Sequence, residues 1–414
     1  MAHPTRHVLI ADGSSSQYVV HASDRAVWTI TLFGLAALGG VALQARGALL
    51  VSFEETFGVS EAALGLVTPA GTIGFVTVVV LVGLLAGRLR MRLWLVCGVA
   101  GTAIGFFLIG LAPTFGLLLG TIILRNAATG MYRALDRPIL GHLYPTQRGR
   151  IFNLQTMSWA IGATIGPVLV TLVLIVGEWR HVYLLLALAF LPILIVVIWR
   201  DVPTSAGNER PFTRRDLRTI ITHRELVVMG LALVFVGGIE SVFFTWLPYY
   251  ANQFFRPELA NLTLSVYLAA YIPGRYAYSR MTVRLPYLSL ATVTVLVSVI
   301  AFPLAFALAG QVAFLPAVFV LGLLVSGLFP TLLAWGVDVT PEFTGPVNAA
   351  ALTSAQIGFF VFPAVVGILA TQFSIEAAML LQIGLVGALF LVLLLGRRYV
   401  SSAPGRMPPT ADLP

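Results

Sequence analysis

Apolar residues run through this chain in long blocks, interrupted at intervals by short clusters of Gly, Pro and Arg. The first six blocks lie near 27–51, 60–86, 92–113, 115–143, 150–176 and 179–199. After a polar gap, six more lie near 225–250, 259–280, 286–309, 312–338, 345–371 and 374–396. Each is roughly 20 residues or longer, enough for a helix to cross ~30 Å of hydrocarbon. The alternating segments of about ten residues that a membrane β-barrel needs are absent. The pattern predicts an all-α polytopic membrane protein with about twelve transmembrane helices; merging one short connection leaves eleven.

The polar gap divides the blocks into two sets of six. The expected organisation is a tail over 1–26, a six-helix bundle over 27–199, a connecting loop over 200–224, a second bundle over 225–396 and a tail over 397–414. Residues 1–26 carry no apolar core of the kind a cleavable signal peptide has, so the first block is expected to stay as a membrane helix.

Arginine placement sets the orientation. With the N-terminus inside, nineteen arginines fall in inner segments, while the outer loops hold only Arg180 and Arg256 beside Glu54, Glu55, Glu61, Glu178, Glu258 and Glu376. The positive-inside bias therefore predicts both termini in the cytoplasm, in a multi-pass protein of the cell membrane. The halves also echo each other. Gly87-Arg88 is matched by Gly274-Arg275, and Gly162-x-x-x-Gly166-Pro167 by Gly358-x-x-x-x-Pro363. Two such halves form a pseudo-symmetric pair with a site between them, as in secondary transporters.

Composition agrees and excludes much else. The 414 residues are 58% hydrophobic and only 10% charged, with mean hydropathy +0.93. The formal charge is +8 and all 25 basic residues are arginine. Most sit in short loops between apolar blocks, so the charge does not point to nucleic acid. The single cysteine, Cys97, excludes an intrachain disulfide and a Cys-rich metal site. No phosphate-binding loop, metal-spaced cluster or nucleophile–base constellation appears. The expectation is no cofactor, no metal and no enzyme activity.

Charges inside the blocks are the candidate chemistry, since each costs ~2.5–3.5 kcal/mol on insertion scales. Arg133, Asp136 and Arg137 share one face of the fourth span, Arg133 about 17 Å from the Tyr144-Pro145 turn. They form either a partly neutralised patch on a wet cavity or a salt-bridge latch. Arg46 and Glu240 have similar depths in spans one and seven, where they either approach across the interface or pair within their own halves. Arg125 either contacts solute or donates to nearby backbone carbonyls. Trp246 is a stacking candidate, while Tyr249 and Tyr250 read as an outer interfacial belt. Asn153 and Gln155 are polar residues in an apolar span.

Several of these pieces resemble the major facilitator superfamily, from about Thr31 to Gly396. Gly83 through Arg92, with Gly87, Arg88 and Arg90, is similar to the family's basic loop between spans two and three, with Gly87 where an Asp is usual. Leu124-Arg125 through Gly130 resembles its span-four motif. Gly238-Ile239-Glu240-Ser241, Trp246 through Tyr250, Ser326 through Thr331 and Asn153 through Thr156 resemble the fucose and hexose permease branch. That branch keeps an acidic proton site in span four. Alignment from Pro145 puts Arg133 in its place; alignment from Leu135 puts Asp136 there. The resemblance implies a monomeric secondary transporter moving a small polar solute, a sugar or organic anion, by alternating access, with protons as a possible co-substrate. A drug exporter, or a non-transporting receptor on the same fold, remains the alternative.

Overall fold

The computed structural model describes residues 22–84, 90–144, 147–202, 222–309, 311–339 and 344–401, and every regular element among them is helical. The first half contains α1 (Ala22–Ala48), α2 (Leu50–Phe57), α3 (Glu61–Leu64), α4 (Val67–Leu84), α5 (Met91–Gly110), α6 (Phe115–Leu143), α7 (Arg148–Val176) and α8 (Trp179–Trp199). The second contains α9 (Arg224–Ala251), α10 (Pro257–Ala269), α11 (Tyr271–Met281), α12 (Tyr287–Ala307), α13 (Phe314–Val325), α14 (Leu328–Val339), α15 (Thr344–Gln372), α16 (Ile375–Met379) and α17 (Leu381–Ser401).

Helix is what an apolar chain must adopt in hydrocarbon, because only there does each backbone group find its partner within the segment. Local signals set the ends. The Thr114 and Ser60 hydroxyls accept from the N–H of Leu117 and Ala63. Gly58, at φ 61, closes α2 in the left-handed conformation. Among the described residues, ten helical stretches are long and apolar enough to cross a membrane. The two remaining expected spans differ for stated reasons. α6 is 29 residues long but carries Arg125, Arg133, Asp136 and Arg137. The block near 259–280 is divided into α10 and α11 at Ala270, where Pro273 removes the hydrogen bond to the carbonyl four residues back. Pro330 divides α13 from α14 in the same way.

The halves share a packing rule. In the first, α1 lies directly on α7; a methyl group at Gly162 would overlap the Ala37 carbonyl. In the second, α9 lies on α15; a methyl at Gly358 would overlap the Val234 carbonyl. The echo between Gly162 and Gly358 thus marks equivalent helix seams, where small residues let backbones touch. Outward faces are apolar, with Leu124, Leu172, Ile175, Leu188, Ile300 and Leu304 exposed as a lipid-facing surface needs. Within the α1–α7 seam, Gln44 is fully buried and both its amide atoms lack partners. An unsatisfied buried amide costs about 1–3 kcal/mol. Gln44→Met is therefore expected to raise the unfolding temperature in detergent; a fall would show that the amide has a partner after all.

Candidate functional site

At the end carrying α2 and α3, the two halves are sealed together. A side chain at Gly47 of α1 would overlap the Phe244 carbonyl of α9. Gly65 lies against the backbone of Pro363, Ala364 and Gly367 in α15. The hydroxyls of Thr68 and Thr245 share a hydrogen bond at 2.8 Å, Ala62 N–H donates to Thr371 Oγ1 at 2.8 Å, and Ser265 Oγ donates to the Thr164 carbonyl at 2.9 Å. The first two of these lie at this end, while Ser265 joins α10 to the middle of α7. Trp246 is fully buried beneath the seal, its Nε1 donating to the Pro363 carbonyl at 3.0 Å.

Tyr249 and Tyr250 correct the expectation of an interfacial belt. Both are buried, Tyr249 edge-on to Trp246 and Tyr250 against Phe306 and Phe314. A belt needs rings at the lipid boundary, whereas α9 is an interior helix with neighbours on nearly every side. Glu54, beyond the apolar part of span one, is half-buried here. Burial, chiefly, and the nearby Glu61 and Glu55 raise its pKa, opposed by a hydrogen bond with Tyr249. A carboxyl raised by burial favours the sealed arrangement below its ordinary pKa and loses that stabilisation as pH rises through the raised value. The wild type is therefore expected to seal more tightly as pH falls. Glu54→Gln should flatten that dependence, read by cross-linking a cysteine pair across the seal.

The fourth-span charges separate. Asp136 is buried, accepting from Arg133 Nη1 at 3.2 Å and from Gln155 Nε2 of α7 at 2.9 Å. Arg137, one position on, is exposed. The structure thus brings together Arg133, Asp136 and Gln155, tying α6 to α7, with Arg137 on the exposed side as an electrostatic neighbour of Asp136. The Asn153 side chain, Gly87 and Arg88 lie outside the described residues; Gly83 falls in the last turn of α4. Arg90 precedes α5, and Arg92 pairs with Asp201 at 2.9 Å.

Arg46 and Glu240 do not meet. Glu240 belongs to its own half, where the Tyr271 hydroxyl donates to its Oε1 at 2.9 Å and shares a 3.1 Å hydrogen bond with the Tyr267 hydroxyl. Phe243 and Phe244 wall this group, with Phe243 and Tyr267 ring centroids 4.9 Å apart. Arg275 stands over the Tyr271 ring, and Gly274 packs on Ser326. Arg46 turns the other way, into the first half. Its Nη1 faces Gly71 of α4, and its electrostatic neighbours are Arg125 and the Tyr183 hydroxyl. Depth along a helix was readable beforehand; the azimuth that sends Arg46 toward α4 was not.

Arg125 also lies buried in the first half. Its stem runs along Gly105 of α5 and its guanidinium lies 4.9 Å from the Phe106 ring centroid. Its Nε is buried without a hydrogen-bond partner, so it does not serve backbone carbonyls through that atom. Sequence reasoning did not single out Tyr267, Tyr271, Tyr183 or Gly71. The first two stand four residues apart in a block that otherwise lacks aromatics before Tyr276, a spacing that puts them on one helix face.

Two helical half-bundles, sealed at one end and each burying charged side chains, have the architecture of a polytopic membrane transporter. The chain belongs to the Major Facilitator Superfamily, whose family model matches residues 30–342. No curated protein matches over this chain. Among solved structures, a bacterial homologue of the human lysosomal transporter Spinster, inward-facing and unoccupied, is similar with TM-score 0.79 and 13% identity, over 92% of this chain and 99% of that one. Its inward-facing, occupied form gives TM-score 0.76 and 13% identity, over 95% and 100%. The nucleoside transporter NupG gives TM-score 0.74 and 13% identity, over 91% and 99%. At this identity the likeness establishes the fold.

Proposed function

We propose that the chain is a secondary active transporter of a small polar solute, with twelve membrane spans, both termini cytoplasmic, working as a monomer in the cell membrane by alternating access. The observation that carries this reading is the interlocking of the two halves at the end carrying α2 and α3. Residues of the two halves interlock around α2, α3 and the start of α4, an arrangement that must open in turn for solute to pass. α6 and the α10–α11 pair complete the count of twelve. The fucose and hexose permease branch remains part of the proposal on its motif resemblance. The aromatic wall of Phe243, Phe244, Tyr267 and Tyr271 around Glu240 supports it, since flat apolar faces beside an acceptor suit a sugar ring.

Proton coupling falls to Glu240 before Asp136. Asp136 is already held by a direct ion pair and an amide hydrogen bond, so a proton arriving there has to displace Arg133. Glu240 accepts its one hydrogen bond among the described residues from a phenol, with Arg275 a neighbouring cation that makes no ion pair with it. The deciding experiment places cysteines at Thr68 and Thr245 in a Cys97→Ser background. A transporter should show a cross-link that forms in one population and reopens, with each cysteine reached by an impermeant maleimide during cycling. A permanent, unlabelled seal would favour a non-transporting receptor. Hexose uptake into proteoliposomes, with and without a pH gradient, then tests coupling. Gradient-independent flux, unchanged in Glu240→Gln and Asp136→Asn, would remove protons from the mechanism.

A further inference from the structure

One face of α6 is covered neither by lipid nor by the helices it packs on most. Leu117 and Leu124, seven residues apart and 55% and 67% exposed, mark the side turned to lipid. α5 closes a second side: a methyl at Gly105 would lie 2.5 Å from the Arg125 Cβ, and one at Gly98 2.9 Å from the Ala128 carbonyl oxygen. α4 closes a third: a methyl at Gly74 would overlap the Ile123 carbonyl, and one at Gly130 would lie 3.0 Å from the Phe75 carbonyl oxygen. α1 and α7, on the fourth side, touch α6 far less. At about 100° per residue, Arg133 stands about 180° from Leu124, and Arg137 about 140° from it on the flank beside α4. Yet the Arg133 side chain is 34% exposed, and Arg137 is exposed. Cations that are wet while turned away from the lipid line an aqueous opening. It lies away from the seal: the Phe57 and Phe115 rings meet at the α2 end, 5.9 Å apart, and Arg133 is eighteen residues, about 27 Å, further along α6.

The charge on this face does not cancel. Asp136 is the acid of α6, and its Oδ2 accepts from both Arg133 Nη1 at 3.2 Å and Gln155 Nε2 at 2.9 Å. Arg133 commits one nitrogen to it, and Arg137 makes no ion pair with a described residue. α4, α5 and α7 contain no Asp or Glu, and the one acid of α1, Asp24, is held by Arg200 at 2.9 Å. Two guanidinium groups one helical turn apart, their Cβ atoms about 5–6 Å from each other, thus share one carboxylate beside water. The surplus cation and the free N–H groups of both forks suit the paired oxygens of a carboxylate or phosphate.

We propose that the carried solute bears an acidic group, bound by Arg133 and Arg137 on the wall of this opening. Given the transporter reading, on which this rests, the small polar solute becomes an organic oxyanion, a carboxylate or a phosphate. A sugar acid satisfies both this pair and the aromatic wall beside Glu240 in the other half. Asp136 and Gln155 then have a positioning part. They hold Arg133 from the α7 side through one nitrogen and leave its others to the solute.

The test separates binding from flux. The purified full chain in detergent is titrated at constant ionic strength with glucose, glucuronate or glucose 6-phosphate, which share a ring and differ in charge. Acetate and inorganic phosphate serve as ring-free probes. A saturable rise in unfolding temperature is expected with an acid and not with glucose, and a response to carboxylates alone or phosphates alone identifies the head group. Arg137→Gln leaves the Arg133, Asp136 and Gln155 contacts in place. It should keep the ligand-free unfolding temperature and weaken binding roughly tenfold or more. Arg256→Gln should bind as the parent does. No rise with any of the four anions, an equal rise with glucose, or unchanged affinity in Arg137→Gln overturns the proposal. Should that variant fail to fold, phenylglyoxal answers on the wild type. Modification of Arg137, mapped by peptide mass, should be blocked by the acid that binds; modification indifferent to it overturns the pair. Uptake into proteoliposomes is read separately. An acid that binds but never enters removes the transporter reading and leaves the anion site, whereas glucose that enters while no acid binds does the reverse.

Discussion

A Gly47→Val variant is expected to reach the membrane, fold, and lose transport to background. Gly47 sits where α1 crosses α9, and any β-carbon there would overlap the Phe244 carbonyl and come within 3.2 Å of the Thr245 carbonyl oxygen. Both obstacles are backbone, so no rotamer change can clear them. The helices must part, at an overpacking cost of about 1–3 kcal/mol for a methyl-sized insertion and more for a branched side chain. That cost falls on the sealed arrangement alone, because the open one separates α1 from α9. The sealed population should drop roughly ten- to hundredfold. The measurement is the yield of a disulfide between cysteines at Thr68 and Thr245, high in the parent and nearly absent with Gly47→Val. A variant that cross-links as well as its parent would show that this crossing is not the seal.

Asp136→Leu has the second large expected effect, on stability. It removes the acceptor shared by Arg133 and Gln155, leaving a cation and an amide facing an apolar contact between α6 and α7. Breaking a fully buried pair costs about 3–5 kcal/mol; the Arg133 side chain is 34% exposed, so about 2–3 kcal/mol is expected here. Arg133→Leu in the same chain should recover most of the loss, because both charges then leave together. Thermal unfolding of the four proteins in the cycle measures this coupling. If Asp136→Leu unfolds at the parent temperature yet abolishes proton-dependent flux, Asp136 carries the proton and the latch is disproved.

These two sites illustrate what could be read before the structure. Hydropathy located the blocks, and ten became helices that satisfy a membrane's length and apolarity. It could not foresee how α10 breaks from α11, because the Pro273 signal was submerged in a uniformly apolar run. Asp136, Arg133 and Gln155 were nameable because charges and amides in apolar sequence stand out. Gly47 was not, being one of 39 glycines whose importance depends on which backbone passes by. Helical periodicity gives a residue's depth and its angle relative to its own neighbours. It says nothing of which other helix occupies that angle, and so Arg46 seemed free to reach Glu240.

The broken pair in the second half carries one more consequence. Pro330 frees the Ser326 carbonyl, and Arg275 Nε, from the neighbouring broken span, donates to it at 3.3 Å. One turn on, the Tyr278 hydroxyl donates to the Leu324 carbonyl at 2.5 Å. The break between α13 and α14 is therefore mended from α11, through side chains three residues apart. An added or deleted residue between Ala270 and Arg275 would swing both donors about 100° around the helix and strand two carbonyls in hydrocarbon. Substitutions elsewhere on α11 leave that register untouched. This stretch should tolerate changes of letter and refuse changes of length.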